Sequence, residues 1–466
     1  MNELPPIDEQ AKNFILSEPS PFTFFDETDK ELLDEQDPYW EKSVFEKFSW
    51  VSVAVKRQNI EPKPSVLALV SDNKVMENYT MLDNDELSLK IENINNKKWS
   101  LRKVKDTTVL SDYKPNFSWR NLYHKLCFEQ MLDTLSTTCD FPLMYEYINK
   151  LGKEIPVLRV SIIEKTKLKS NHYWLMAVIG KMSALKVLKL HLPTGIKFGG
   201  EGFKFLLKGF NYMHENGRML DKIYFNRILG QNSEEYLYPC LKQQTELQVL
   251  NFNGVVLNIN DAKAIGKVLT DFKQIRELNL TDSGLILTTV KEIADGLMRA
   301  KQLEVLKVGS NTQMGRGVNT LIYNLAFSPK IRYIDLSNIS GTDAETAEAI
   351  YKLIKISGAV QTLILQNASV VPQLTEDFYK ALGENKTLEY INLDTNSSPG
   401  DNNVKLLGKA IAMNARKNGS LKAVSIRDWF VNYTQFDQFL SNMSISDQDH
   451  ELWYGDKKEA NTMEKD

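Results

Sequence analysis

Three cysteines in 466 residues, Cys127, Cys139 and Cys240, are too few and too unpatterned for a disulfide framework or a thiolate metal site. They fit a reducing compartment. Histidine is also scarce for a chain of this length, at five, and the five are scattered singly. No large excess of either charge is present: the net charge is −3, from 57 basic and 60 acidic residues. Sequence-independent nucleic-acid binding needs a clustered basic excess, and none is seen. No apolar run is long enough to span a bilayer. The opening "MNELPPIDEQAKNF" is acidic and polar, unlike a secretory signal. These readings together predict a soluble, cytoplasmic protein without membrane insertion, nucleic acid or small-molecule substrate.

Chemistry-bearing motifs are missing as well. There is no G-x-x-x-x-G-K-[ST] loop, and "FGGEGFKF" (198–205) lacks the phosphate-binding lysine and hydroxyl; its place in the pattern predicts a strand-to-helix loop. Neither H-E-x-x-H nor G-x-S-x-G occurs. Glu234 and Glu235 are neighbours at an expected helix start, where the macrodipole favours acids. His124 and Cys127 share a helix face at i, i+3, but tetrahedral zinc needs more protein ligands than these two. The expectation is no catalytic residue, no cofactor, no metal, and no enzyme.

What the chain does have is repetition. The apolar pattern L-x-x-L-x-L appears as "IPVLRV" from Ile155, "LKVLKL" from Leu185, "LDKIYF" from Leu220, "LQVLNF" from Leu247 and "IRELNL" from Ile275. It continues as "LEVLKV" from Leu303, "IRYIDL" from Ile331, "VQTLIL" from Val360, "LEYINL" from Leu388 and "LKAVSI" from Leu421. From Leu247 to Leu388 every interval is 28 or 29 residues. Helical patterns lie between the triplets. "INDAKAIGKVL" offers Asn260 as an N-cap; "TVKEIADGL" and "TDAETAEAIYKLI" offer capping boxes from Thr289 with Glu292 and Thr342 with Glu345. Each unit therefore reads as a short strand, a loop and a helix. A lone unit cannot bury enough apolar surface to offset the ordering of its own backbone, so the units must stack.

This pattern resembles the leucine-rich repeat, and the 28-residue period with a full helix resembles its ribonuclease-inhibitor-like subtype. The resemblance implies an α/β solenoid, a horseshoe of about ten strand–loop–helix units over 151–442, with an N-terminal mixed, mainly helical region. One departure is that the ninth place of the repeat, usually Asn or Cys, is Asn only at Asn311 and Asn396; Ser283 and Ala368 take it elsewhere. A thinned polar ladder and irregular curvature are expected. Residues 1–20 read as extended or disordered, 21–150 as a helical, F-box-like and capping region with an insertion at 51–117, and 443–466 as a tail. The insertion mixes alternating stretches such as "SVLALVS" and "ELSLKIENI" with polar ones, and reads as a small sheet or a partner-binding arm. "SWRNLYHKLCFEQMLDTL" (118–135) is apolar around most of a helix and reads as the cap of the array. Trp453 and Tyr454 are expected to dock on the last repeat.

"DPYWEKSVFEKFSW" (37–50) and the stretch from Ser118 resemble the paired Trp-basic helices that precede the repeats in the leucine-rich-repeat subunit of the axonemal nexin–dynein regulatory complex, the T-complex-associated testis-expressed family. Trp40-Glu41-Lys42 and Trp119-Arg120-Asn121 stand where that family has Trp-Lys-Arg. The resemblance implies a non-enzymatic protein–protein scaffold of the ciliary axoneme cytoskeleton, with subunits of a large ciliary assembly as partners. Two other classes use such repeats. An F-box-type substrate adaptor of a ubiquitin ligase would use "FTFFDETDKELL" as a degenerate helical module. A Ran-type GTPase-activating protein would use an Asn-centred site, at Asn279 or Asn311.

On a repeat of this kind the third, fifth and seventh places line the concave face. That predicts a protein-binding surface of Lys189, Lys222, Tyr224, Asn251, Asn253, Glu277, Asn279, Lys307, Tyr333, Asp335, Ile364, Tyr390, Asn392, Asp394 and Arg427. Tyrosine with adaptable amide hydrogen bonding suits protein contact better than phosphate.

Overall fold

A computed structural model of the chain describes residues 66–71, 79–81, 89–92, 98–106, 148, 152–153, 157–161, 175–191, 199–226, 234–394, 396, 400–417 and 419–426. The capping helix at 118–135, the two Trp-basic elements, the F-box-like stretch and Trp453–Tyr454 all lie outside these residues. The chain divides into two compact units, one built from residues 1–62 and 110–279, the other from 63–109 and 280–466.

The insertion contributes four strands to the second unit: β1 Val66–Ser71, β2 Tyr79–Met81, β3 Leu89–Glu92 and β4 Lys98–Asp106. β4 pairs antiparallel with each of the other three. Of the two readings given to the insertion, the small sheet is the one formed, and the alternating stretches are its strands. The described residues of 51–117 are all strand.

In the first unit the apolar triplets become β5 Val157–Ser161, β6 Val187–His191, β7 Lys222–Asn226, β8 Val249–Asn251 and β9 Glu277–Asn279. They pair parallel in sequence order, with the third places in register, Val187 to Lys222 to Val249 to Glu277. Helices α1 Gly199–Glu215, α2 Glu234–Lys242 and α3 Ile259–Asp271 alternate with them. A strand alternates its side chains between faces. The fourth-place residues Leu188, Ile223, Leu250 and Leu278 accordingly form the core and are inaccessible to solvent. The sixth place carries rings: Phe225 packs on Phe252 at 5.3 Å between centroids, and Phe203 of α1 meets Phe225 edge-on at 5.6 Å. α1 also lies against the turn at Ile179–Lys181 so closely that a Cβ on Gly180 would fall 2.1 Å from the Gly209 carbonyl oxygen.

"FGGEGFKF" is corrected by this arrangement. Its residues from Gly199 onward form the first turns of α1 rather than a loop. Gly199 takes φ +59° at the helix start and Gly200 and Gly202 are buried.

In the second unit the strands are β10 Val305–Lys307, β11 Tyr333–Asp335, β12 Thr362–Ile364, β13 Tyr390–Asn392 and β14 Ala423–Ser425. They too pair parallel and in order, and β1 adds antiparallel to β14. Their helices are α4 Leu287–Leu297, α5 Gly317–Leu325, α6 Ala344–Ile356, α7 Glu376–Glu384 and α8 Asp401–Arg416. Strand, turn and helix thus recur in both units with the period read from the sequence. The chain has the α/β leucine-rich-repeat fold.

Three caps differ by one to three residues from the expected ones. Asn258, not Asn260, caps α3, its Oδ1 accepting the N–H of Asn260 and Asp261 at 2.8 and 2.9 Å, while the Asp261 carboxylate accepts the Asn258 N–H at 3.1 Å. In α4 the cap is Ile286; Thr289 is the third helical residue, and its hydroxyl oxygen accepts the Ile286 N–H at 2.9 Å. In α6 Asp343 rather than Thr342 is the cap, accepting the Thr346 N–H at 3.0 Å. Thr342 is instead engaged with the neighbouring repeat, donating to the Ala368 carbonyl at 3.0 Å.

The thinned polar ladder is bridged from the next repeat. Asn311 accepts the N–H groups of Ser283 (2.9 Å) and Leu285 (3.0 Å), and donates to the carbonyls of Leu280, Val308 and Gly309 at 2.8, 2.7 and 3.2 Å. Asn396 does the same for Ala368, accepting its N–H at 3.1 Å and donating to Leu365, Leu393 and Asp394. One amide therefore satisfies the turns of two repeats, which is why Ser and Ala are tolerated one repeat earlier.

Candidate functional site

The strand register brings the predicted columns together as expected. In the first unit the fifth-place residues Lys189, Tyr224, Asn251 and Asn279 pair across consecutive strands, as do the third-place Lys222, Val249 and Glu277. In the second unit Lys307, Asp335, Ile364, Asn392 and Ser425 form the fifth-place column, and Val305, Tyr333, Thr362 and Tyr390 belong to the third. The odd places lie on the sheet face opposite the fourth-place core. Arg427 falls outside the described residues.

Exposure separates these residues. Asn253 is exposed, and Lys189, Tyr224 and Asp335 are half-buried. Lys222, Asn251, Glu277, Asn279, Lys307, Tyr333, Ile364, Tyr390, Asn392 and Asp394 are all buried, Tyr390, Asn392 and Asp394 completely.

Several of the polar ones have structural tasks that the sequence reading assigned to partners. Asn251, Asp335 and Asn392 each accept, through Oδ1, the N–H two residues ahead: Asn253 at 2.8 Å, Ser337 at 2.8 Å and Asp394 at 2.9 Å. These are Asx turns that bend the chain out of its strand. Asp394 in turn accepts the Ser425 hydroxyl at 2.6 Å. The fifth-place Asx side chains therefore shape the repeat before they can offer anything to a ligand.

The cations on this face are held by rings and carboxylates. Lys189 lies over the Tyr224 ring at 5.6 Å and Lys307 over Tyr333 at 5.9 Å, distances at which the ring quadrupole attracts an ammonium. Burial lowers the Lys222 pKa from its ordinary value, and Lys189 lowers it further, while the Glu277 carboxylate two strands away pulls it back up. Cys240 is buried and burial raises its thiol pKa well above the ordinary value, so it is protonated at neutral pH. Among the described residues no group of three or more His, Cys, Asp or Glu could hold a metal ion. No described helix is long and apolar enough to cross a membrane.

No known family's sequence profile matches the chain, and no curated protein does. Solved structures resemble it. One is the yeast Rad7–Elc1 complex, whose matched chain is 15% identical, with 62% of this chain and 86% of that one covered at a TM-score of 0.36. Another is an internalin, InlF, from Listeria monocytogenes, 14% identical over 68% of this chain and 92% of that one, TM-score 0.27. The repeat assignment rests on this chain's own strand register.

Two features of the repeat escaped the sequence reading, though each left a mark in it. The second place carries Glu304, Arg332, Gln361, Glu389 and Lys422 in successive repeats. Arg332 bridges Glu304 at 2.7 Å, and Lys422 bridges Glu389. The eighth place carries Asp282, Ser310, Asn338 and Asn367, all with φ between 49° and 59°. Each sends its N–H to the carbonyl of the seventh-place residue one repeat on: Gly309, Ser337, Gln366 and Asp394. Asn and Asp are the side chains that visit this left-handed region most readily. A column of short polar residues just past each strand was the available signal.

Proposed function

We propose that the chain is a non-enzymatic scaffold that binds other proteins, and that it serves in the axoneme of cilia as a component like the repeat subunit of the nexin–dynein regulatory complex. The observation that supports the scaffold reading is the column arrangement itself. Each repeat offers one side chain per column at a fixed step, which suits a partner held at many spaced points. A reaction centre needs the opposite, several groups converging on one atom. On the strand face the side chains open to a partner include Asn253, with Lys189, Tyr224 and Asp335 partly so. The finer, ciliary reading is supported by Trp40-Glu41-Lys42 and Trp119-Arg120-Asn121 ahead of the repeats.

Two measurements test this. In salt-washed axonemes stripped from cilia the protein remains with the axoneme; its release as a soluble species removes the ciliary reading. Cross-linking mass spectrometry on the same material identifies the neighbours. Cross-links to a Skp–cullin core would favour the ubiquitin-ligase adaptor, and accelerated GTP hydrolysis by a Ran-type GTPase in the presence of the purified protein would end the non-enzymatic reading.

A further inference from the structure

On the helix side of the second unit three large apolar side chains face solvent at related points of successive repeats. Met298 follows the end of α4, Phe327 follows the end of α5, and Ile356 is the last residue of α6; they are 48, 72 and 47% exposed. Their numbers step by 29, the length of one repeat. Single exposed apolar residues need no explanation, but a row in phase with the repeat does.

The row runs among exposed cations. Arg299 and Lys301 lie beside Met298, Lys330 near Phe327, and Lys355 beside Ile356. Cations at helix C-termini are favoured by the macrodipole, which accounts for some of them. Lys330 donates to the Gln302 amide oxygen at 2.5 Å and Lys355 to the Tyr351 hydroxyl at 2.7 Å, with the Asp377 and Glu348 carboxylates acting on Lys355 from a greater distance. Of the exposed acids near this edge, Glu384 is already bridged to Lys417 at 2.8 Å. Beyond Ile356 the row opens into a groove of 480 Å³ between the ends of α6 and α7, whose wall carries Lys355, Lys380 and Lys386 together with Asp377 and Glu384. The edge is apolar along its line, and on its flanks the cations outnumber the acids.

We propose that this edge docks an amphipathic helix of a partner protein whose apolar stripe is flanked by acidic residues. Neighbouring packed helices stand about 8–10 Å apart, so the three side chains advance by roughly that step. Seven residues of an α-helix rise about 10.5 Å, close to the upper end of that step, so a helix with apolar residues at i, i+7 and i+14 can set one near each of the three. A β-strand presents one face at multiples of about 6.8 Å and falls out of phase with the row. The inference concerns the helix side of the second unit and stands apart from the strand-face reading above.

The test uses the full-length protein and a fluorescent peptide of about three heptads with Leu at i, i+7 and i+14, Ala on the same face and Glu on the flanks. Fluorescence anisotropy should show saturable binding that weakens as salt rises. Phe327→Asp should weaken it about tenfold or more and Lys330→Glu several-fold, while both variants keep the wild-type melting curve, since both side chains are exposed. Absence of saturable binding, equal binding of a peptide with Lys in place of Glu, or an unaffected Phe327→Asp variant would each overturn the proposal. Two further outcomes would also overturn it by giving the edge another occupant: a concentration-dependent dimer lost in Phe327→Asp, or binding to phosphatidylserine vesicles lost in that variant.

Discussion

The two units solve one problem with different chemistry. In the first, strands β6 and β7 are five residues long and a line of rings, Phe203, Phe225 and Phe252, fills the space beneath them. In the second, the repeat strands are three residues long, the sixth place holds aliphatics, and side-chain amides of Asn311 and Asn396 tie the turns. Aromatic volume tolerates variable spacing, because a ring fills whatever gap the backbone leaves. An amide that must reach five groups within hydrogen-bond distance tolerates none. The uneven intervals from Ile155 to Leu247 and the intervals of 28 or 29 from Leu247 to Leu388 accord with that difference.

The largest expected effect breaks the aromatic side of this comparison. Phe225→Ala removes a fully buried ring that touches two others and should destabilise the first unit by about 3–5 kcal/mol, read as a fall in the urea midpoint. Phe225→Leu, which keeps most of the volume, should cost much less.

Next, Asn311→Ala removes a hydrogen bond from five buried backbone groups at once, of which only the Gly309 carbonyl keeps a described backbone partner, the Asp282 N–H, at a cost of about 2–4 kcal/mol. If the amide acts only by filling space, Asn311→Leu will restore stability; hydrogen bonding predicts that it will not. A smaller effect sharpens the cap assignment. Asn258→Ala should cost about 1 kcal/mol and Asn260→Ala much less, because only the first accepts backbone N–H groups. The two variants compared by chemical denaturation decide which residue starts α3.

Lys222 gives a pH signature. Its folded pKa is lowered, chiefly by desolvation, so the unfolded chain holds the proton more tightly than the folded one. Stability contributed by this site is therefore least below the lowered folded value and rises as pH climbs from there towards 10.5, the unfolded value. Lys222→Met should flatten that rise in thermal melts taken across the window.

The strand register was legible in the sequence because apolar periodicity and spacing are set by the core alone. Every triplet from Ile155 to Leu421 contains a strand, and the columns fall where counting places them. The capping residues were displaced by one to three positions because several Asn, Asp and Thr compete near each helix start. Thr342, the expected cap of α6, bonds to Ala368 in the next repeat, a contact no local window contains. The candidate face was legible as a list of neighbours but not as a surface: Asn251, Asp335 and Asn392 look like free amides and carboxylates in sequence, and become Asx acceptors only when the chain turns after the strand.

The most direct test of the repeat architecture is hydrogen exchange of the turn amides at Asp282, Ser283, Leu285, Ser310, Asn338, Asn367 and Ala368 in the intact protein. Shared bonds between successive repeats predict slow exchange at all seven, with Ser283 and Leu285 alone released in Asn311→Ala. Exchange at the rate of open loops in the unaltered chain would contradict the stacked repeats.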